Sequence, residues 1–127
     1  MYKQRVIVFV LFSLAACTKE EITPRDYPRV MTREVESIAS GGATFKGEIT
    51  FASAAIIDHG FIWSNGGFPT FTNANASKRS LGTKDGVGSF ELAVTQGLQV
   101  GKKYSVCAYA KSSKDIVYGK TFDFVSK

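Results

Sequence analysis

From residue 28 onward, apolar and polar residues alternate along most of the chain. In the stretch 43–51, Ala43, Phe45 and Ile49 alternate with Thr44 and Lys46. This spacing gives a β-strand one apolar and one polar face. Similar runs lie at 30–38, 56–63, 89–94, 104–111 and 116–125, with a weaker run near 77–81. The pattern predicts about seven half-buried strands.

Turn-forming residues separate these runs, at 41–42, 65–67, 85–86 and 101, and no stretch keeps a helical period. Because no helix pattern follows Gly86-Val87-Gly88, this segment is interpreted as a hairpin turn and not as a phosphate cradle. A chain of 127 residues accommodates one domain. The sequence therefore predicts an all-β protein, an antiparallel two-sheet sandwich.

The N-terminus has a different pattern. Lys3 and Arg5 precede an apolar stretch at 6–12, and small residues stand just before Cys17. This is the layout of a secretory signal, and the apolar stretch is too short to cross a bilayer as a helix. We expect a signal peptide at 1–16, a tether at 17–28 and the sandwich at 29–127.

Leu14-Ala15-Ala16-Cys17 resembles the lipobox of bacterial lipoproteins. The resemblance implies that the Cys17 thiol carries a lipid, that the signal is cut before it, and that the acyl chains hold the domain on a membrane. The alternative is an ordinary signal followed by an incidental cysteine.

The three charged residues at 19–21, Lys-Glu-Glu, resemble the signal that sends Bacteroidetes lipoproteins to the outer face of the outer membrane. This resemblance implies an outer-membrane, lipid-anchored protein exposed at the cell surface. The alternative is a polar tether with no address.

Net charge argues against a nucleic-acid partner. Removal of Lys3 and Arg5 with the signal lowers the formal charge from +5 to +3. The remaining basic residues are scattered, with no block that resembles a nucleic-acid-binding arm. We expect a solvated, mildly basic surface.

The stretch Leu98, Val100, Gly101 and Tyr104 resembles the corner before the penultimate strand of fibronectin type III domains, in which a tyrosine hydroxyl bonds back to the backbone. Val100 stands where the family usually has proline. The order of segments from 43 to 124 is also similar to the fibronectin type III-like modules of Bacteroidetes surface proteins. The resemblance implies a sandwich of that type, serving as a spacer or a binding module, and no particular ligand.

Candidate chemistry is sparse. His59 is the single histidine, and Asp58-His59 is more simply a polar pair at the start of a strand than a catalytic base. We therefore predict no enzyme activity, no cofactor and no metal site. Cys107 is left unpaired if Cys17 is lipidated, so it is either a half-covered inert thiol or a site for an intermolecular bridge.

One hypothesis concerns a binding surface. Trp63, Tyr109 and Tyr118 form an outward aromatic patch if the 56–63 and 104–111 strands share a sheet; the alternative places Trp63 in the core. Phe68 and Phe71 are further candidates, in a loop at 68–78. The predicted function is a membrane-anchored module that binds a glycan or an envelope protein. The alternative is a spacer or accessory subunit of an outer-membrane complex.

Overall fold

A computed structural model describes residues 27–127. The signal peptide, Cys17 and the tether up to residue 26 lie outside the described residues. Within 27–127, no helix has the length and apolarity needed to cross a membrane. Pro28, the last residue of the predicted tether, is fully buried.

The described chain forms nine strands and contains no helix. They are β1 (Arg29–Thr32), β2 (Glu36–Ala39), β3 (Gly42–Phe51), β4 (Ile56–Ser64), β5 (Ser77–Lys84), β6 (Gly88–Val94), β7 (Lys103–Lys111), β8 (Ile116–Tyr118) and β9 (Phe122–Val125).

The strands pair antiparallel in two sheets. In the smaller sheet, β1 and β2 pair with successive parts of β3 along one side, and β6 pairs along the other. In the larger sheet, the order is β5-β4-β7, and both β8 and β9 pair with the free side of β7. β1 and β2 thus act together as one interrupted edge strand of the smaller sheet, and β8 and β9 as one of the larger sheet. Counted this way, a three-stranded sheet packs against a four-stranded sheet. The predicted two-sheet sandwich is confirmed, and the extra strands come from these two interruptions.

The interruptions let the two sheets meet at one edge. The Thr32 hydroxyl accepts a hydrogen bond from Ala108 N at 3.0 Å, and Gly119 N donates to Ala108 O at 2.8 Å. Gly119 must lack a side chain, because a Cβ there would lie 2.7 Å from Thr32 N. Pairing of the edge strands therefore breaks where the backbones of β1 and the β8–β9 link approach each other.

Aromatic side chains fill the space between the sheets. Phe45 of β3 lies at the centre, with ring-centroid distances of 5.8 Å to Phe61, 5.2 Å to Trp63 and 5.7 Å to Phe124. These tilted and edge-on contacts are the preferred arrangements of aromatic rings. Trp63 therefore belongs to the core, and not to an exposed binding patch.

The predicted corner is present. Gln99 N donates to the Tyr104 hydroxyl at 2.8 Å, Leu98 is buried, and Gly101 has a φ of +77°. A positive φ suits glycine, which has no Cβ to clash. Val100 is 72% exposed, so the residue in the usual proline position makes little packing contribution.

The two ends of the sandwich differ in what they carry. Strand pairing places Tyr27 and the links 52–55, 85–87 and 112–115 at one end, here called the N-terminal end. The links 65–76 and 95–102 and the C-terminus start from the other end, here called the loop end. The 85–87 link joins strands of different sheets, so the predicted hairpin turn there is wrong; it is a crossover.

Candidate functional site

The outer face of the larger sheet contains two of the three residues of the predicted patch. Tyr109 lies opposite Gly60 on one side and Tyr118 on the other, so both tyrosines point outward. Trp63 lies opposite Val106, whose side chain points into the core. Trp63 and Tyr109 therefore lie on opposite faces of the sheet.

The link between β4 and β5 folds back over this outer face. We call residues 65–76 the covering loop. Cys107 Sγ donates to Pro69 O at 3.2 Å, and the Phe71 ring meets the Tyr109 ring edge-on at 4.9 Å. Phe71 N donates to the Tyr118 hydroxyl at 3.2 Å. The loop thus shields the central part of the sheet that alternation alone would leave exposed.

Asn73 holds the covering loop in shape. Its side-chain nitrogen Nδ2 donates to Phe68 O at 2.8 Å and Gly66 O at 3.0 Å, and lies 3.3 Å from Ser64 Oγ. Its Oδ1 accepts a bond from Asn75 N at 2.9 Å. One amide side chain therefore connects the start, middle and end of the loop. Its hydrogen-bonding groups are therefore occupied within the loop.

The predicted patch of Trp63, Tyr109 and Tyr118 is wrong as an exposed surface. Trp63 is 8% exposed and Tyr109 0%, and Tyr118 alone of the three is substantially open, at 39%. Phe71 is half-buried against the tyrosines. Phe68 is 79% exposed, the highest value among the large hydrophobic side chains in 27–127. Of the five candidate residues, Phe68 is therefore the most open to contact with another molecule.

Phe68 borders a shallow groove of about 410 Å³, lined also by Gly67, Ser105, Thr121 and Asp123. Ser105 Oγ donates to Asp123 Oδ1 at 2.6 Å. This bond, and the nearby charge of Lys103, hold the pKa of Asp123 below its usual value. The groove therefore combines an exposed aromatic ring, hydroxyl groups and a carboxylate that is ionised at neutral pH.

Sequence reasoning missed Asp123, Ser105 and Thr121 as site residues. Alternation within the 104–111 and 116–125 runs indicates that Ser105 and Asp123 avoid the core face. The register that pairs Ser105 with Asp123 is a property of the folded sheet. Their approach to Phe68 depends on the path of the covering loop, which no local pattern encodes.

The Tyr109 hydroxyl donates to Asp58 Oδ2 at 2.9 Å, and the Ser80 hydroxyl donates to Asp58 Oδ1. Burial, together with the Asp58 carboxylate, raises the pKa of Tyr109 well above its ordinary value. A phenol held neutral in this way is a stable hydrogen-bond donor. The arrangement ties β4, β5 and β7 together across the outer face.

His59 is a buried structural residue. Its Nδ1 lies 2.7 Å from Gly82 O, so this nitrogen carries the proton, and its ring packs edge-on against Phe90 at 4.7 Å. The side chain is 5% exposed. These contacts agree with a polar pair at the start of β4. Within 27–127, no three His, Cys, Asp or Glu side chains are grouped as metal ligands are.

Cys107 is more deeply covered than predicted. It is 2% exposed beneath Pro69, and burial raises its pKa to about 12. The nucleophilic form of a cysteine is the thiolate, which is a minute fraction at neutral pH when the pKa is this high. The thiol is therefore fully buried, where the sequence predicted partial cover, and it is inaccessible for a bridge to another chain in the folded state.

Comparisons with protein families, with curated proteins and with solved structures gave no significant match. The resemblances stated from the sequence therefore stay predictions, and functional inference depends on the geometry of this chain.

Proposed function

We propose that this protein is an exported, lipid-anchored, non-enzymatic interaction module of the bacterial cell envelope that contacts its partner through Phe68. The observation that carries the proposal is a large apolar ring, 79% exposed, on a loop that its own hydrogen bonds hold in shape. Exposed aromatic anchors on rigid supports are typical of recognition surfaces, because little conformational entropy is lost on binding.

The position of Phe68 suits an anchored protein. Cys17, the proposed lipidation site, precedes Tyr27 by ten positions in the sequence, and Tyr27 enters at the N-terminal end. The covering loop starts from the loop end and lies over the outer face of the larger sheet. A tether that leaves from the N-terminal end keeps that end nearest the membrane and leaves Phe68 open to partners in the envelope.

A binding assay with cell envelopes of the producing bacterium tests the proposal. The full chain, purified in detergent and fluorescently labelled, is expected to bind these envelopes saturably. Phe68→Ala is expected to weaken binding at least about tenfold, the effect of removing a well-packed aromatic anchor. Val100→Ala is the matched control, because Val100 is also apolar and 72% exposed but lies outside the groove.

Two results would contradict the proposal. The first is a wild-type chain that shows no saturable binding. The second is a Phe68→Ala variant that is folded and binds as tightly as the Val100→Ala variant. In either case the spacer or accessory role predicted as the alternative becomes the better account.

A further inference from the structure

The groove beside Phe68 has the two kinds of surface that a sugar ring requires. The Phe68 ring offers a flat apolar platform, and Gly67 beside it has no side chain to obstruct a ligand. The axial C–H groups of a pyranose pack against such aromatic faces, as apolar groups do against aromatic rings generally. Asn73 Nδ2 donates to the Phe68 carbonyl at 2.8 Å, which fixes the backbone that carries the ring.

The polar side of the groove suits hydroxyl groups. Asp123 has a half-exposed, ionised carboxylate, with Oδ1 bound to Ser105 Oγ at 2.6 Å and Oδ2 at 3.5 Å from Lys103 Nζ. A carboxylate accepts hydrogen bonds from neighbouring hydroxyls, and the Thr121 hydroxyl supplies a donor. Lys103 lies beside the groove as the ion-pair partner of Asp123. Because Asp123 and Lys103 carry opposite charges, the polar side favours a neutral ligand.

We propose that this groove, formed by Gly67, Phe68, Ser105, Thr121 and Asp123, binds a neutral carbohydrate. The inference rests on the proposed function and assigns its ligand class. A protein hot spot is normally a desolvated apolar pocket filled by a partner side chain. This groove is shallow and contains one large apolar side chain among hydroxyls and a carboxylate, so it fits a polyhydroxylated ring better.

Calorimetric titration of the full chain with neutral oligosaccharides tests the assignment. The probes are the hexasaccharides of β-1,4-glucose, β-1,4-xylose, α-1,6-mannose and β-1,4-N-acetylglucosamine. The protein is kept in an amine-oxide detergent, because glucoside and maltoside detergents are themselves carbohydrates. We expect at least one probe to bind. Phe68→Ala should weaken its binding about tenfold or more, and the conservative variant Phe68→Trp should retain it.

Asp123→Asn, which keeps the shape and removes the charge, is expected to weaken binding severalfold, and Val100→Ala to leave it unchanged. The carbohydrate assignment is overturned if all four probes give no heat at about 10 mM, a concentration well above the dissociation constants of weak specific complexes. It is equally overturned if the Phe68→Ala variant binds a probe as the wild type does.

The envelope-binding assay distinguishes failure of the carbohydrate assignment from failure of the proposed interaction module. If envelope binding depends on Phe68 but is destroyed by protease and survives periodate oxidation of sugars, the partner is a protein. The interaction module then stands and the carbohydrate assignment fails. If neither envelopes nor oligosaccharides bind in a Phe68-dependent way, both fail.

Discussion

Two tyrosine hydroxyls in this fold do the same chemical task in different surroundings, which allows a controlled test of what burial contributes. Tyr104 accepts a hydrogen bond from Gln99 N at 2.8 Å, and Tyr118 accepts one from Phe71 N at 3.2 Å. Tyr104 is 6% exposed and Tyr118 is 39% exposed. Replacing either by phenylalanine removes one oxygen and preserves the ring.

The expected costs follow from what can replace the lost acceptor. In Tyr104→Phe, the Gln99 amide at the partly buried corner loses its partner, and an unsatisfied buried donor costs about 1–3 kcal/mol. Because this amide is partly buried, we expect about 1–2 kcal/mol. In Tyr118→Phe, water reaches the Phe71 amide, so the expected loss is below about 0.5 kcal/mol.

Urea unfolding measures both free energies. Trp63, the single tryptophan, is buried in the core, so its fluorescence reports global unfolding. For a domain near 100 residues, the expected cost of Tyr104→Phe corresponds to a melting temperature lowered by roughly 4–15 °C. The reasoning is refuted if Tyr118→Phe costs as much as Tyr104→Phe, or if Tyr104→Phe costs less than about 0.5 kcal/mol.

Three further predictions concern the edge, the thiol and the anchor. Gly119→Ala should cost about 1–3 kcal/mol, because its methyl group would collide with the Thr32 backbone; in Gly66→Ala the methyl enters open space, and equal urea midpoints would contradict the account. Cys107, with its pKa raised to about 12, should react with Ellman's reagent at pH 8 only after unfolding; rapid labelling of native protein would contradict its burial. Cys17→Ser should move the protein from the membrane to the soluble fraction, and membrane association that survives a carbonate wash would argue against lipidation.

Local patterns in the sequence were sufficient to predict the sandwich, and a resemblance to fibronectin type III domains carried by a few neighbouring residues implied the tyrosine corner. Alternation such as that of Phe45 and Ile49 marks a strand regardless of its partner, and the spacing of Leu98, Gly101 and Tyr104 lies within one short turn. Both signals depend on neighbours close in the chain. Cys17 and its surroundings similarly predict export and lipidation from local sequence, and that prediction awaits its fractionation test.

Alternation also showed that Phe61 and Trp63 share one face of their strand, but it could not decide which face is the core. That decision belongs to the register, which sets Trp63 opposite Val106 and Gly60 opposite Tyr109. Alternation with a period of two separates the two faces of a strand but does not say which one is buried. The face with apolar residues usually is, but β4 has apolar residues on both faces. The predicted aromatic patch therefore combined Trp63, on the core face of the sheet, with Tyr109 and Tyr118, on its outer face.

The sequence by itself indicated the strand-forming runs and the corner, because each depends on residues within a few positions of one another; the amino-terminal signals stay predictions. The tertiary structure alone decided that the covering loop buries Cys107 and Tyr109, and that Phe68 is left beside Asp123. Those contacts join residues tens of positions apart. They depend on the loop shape that Asn73 holds and on the register that pairs Ser105 with Asp123. Their free energy exists only once the larger sheet is assembled, so no local pattern records it.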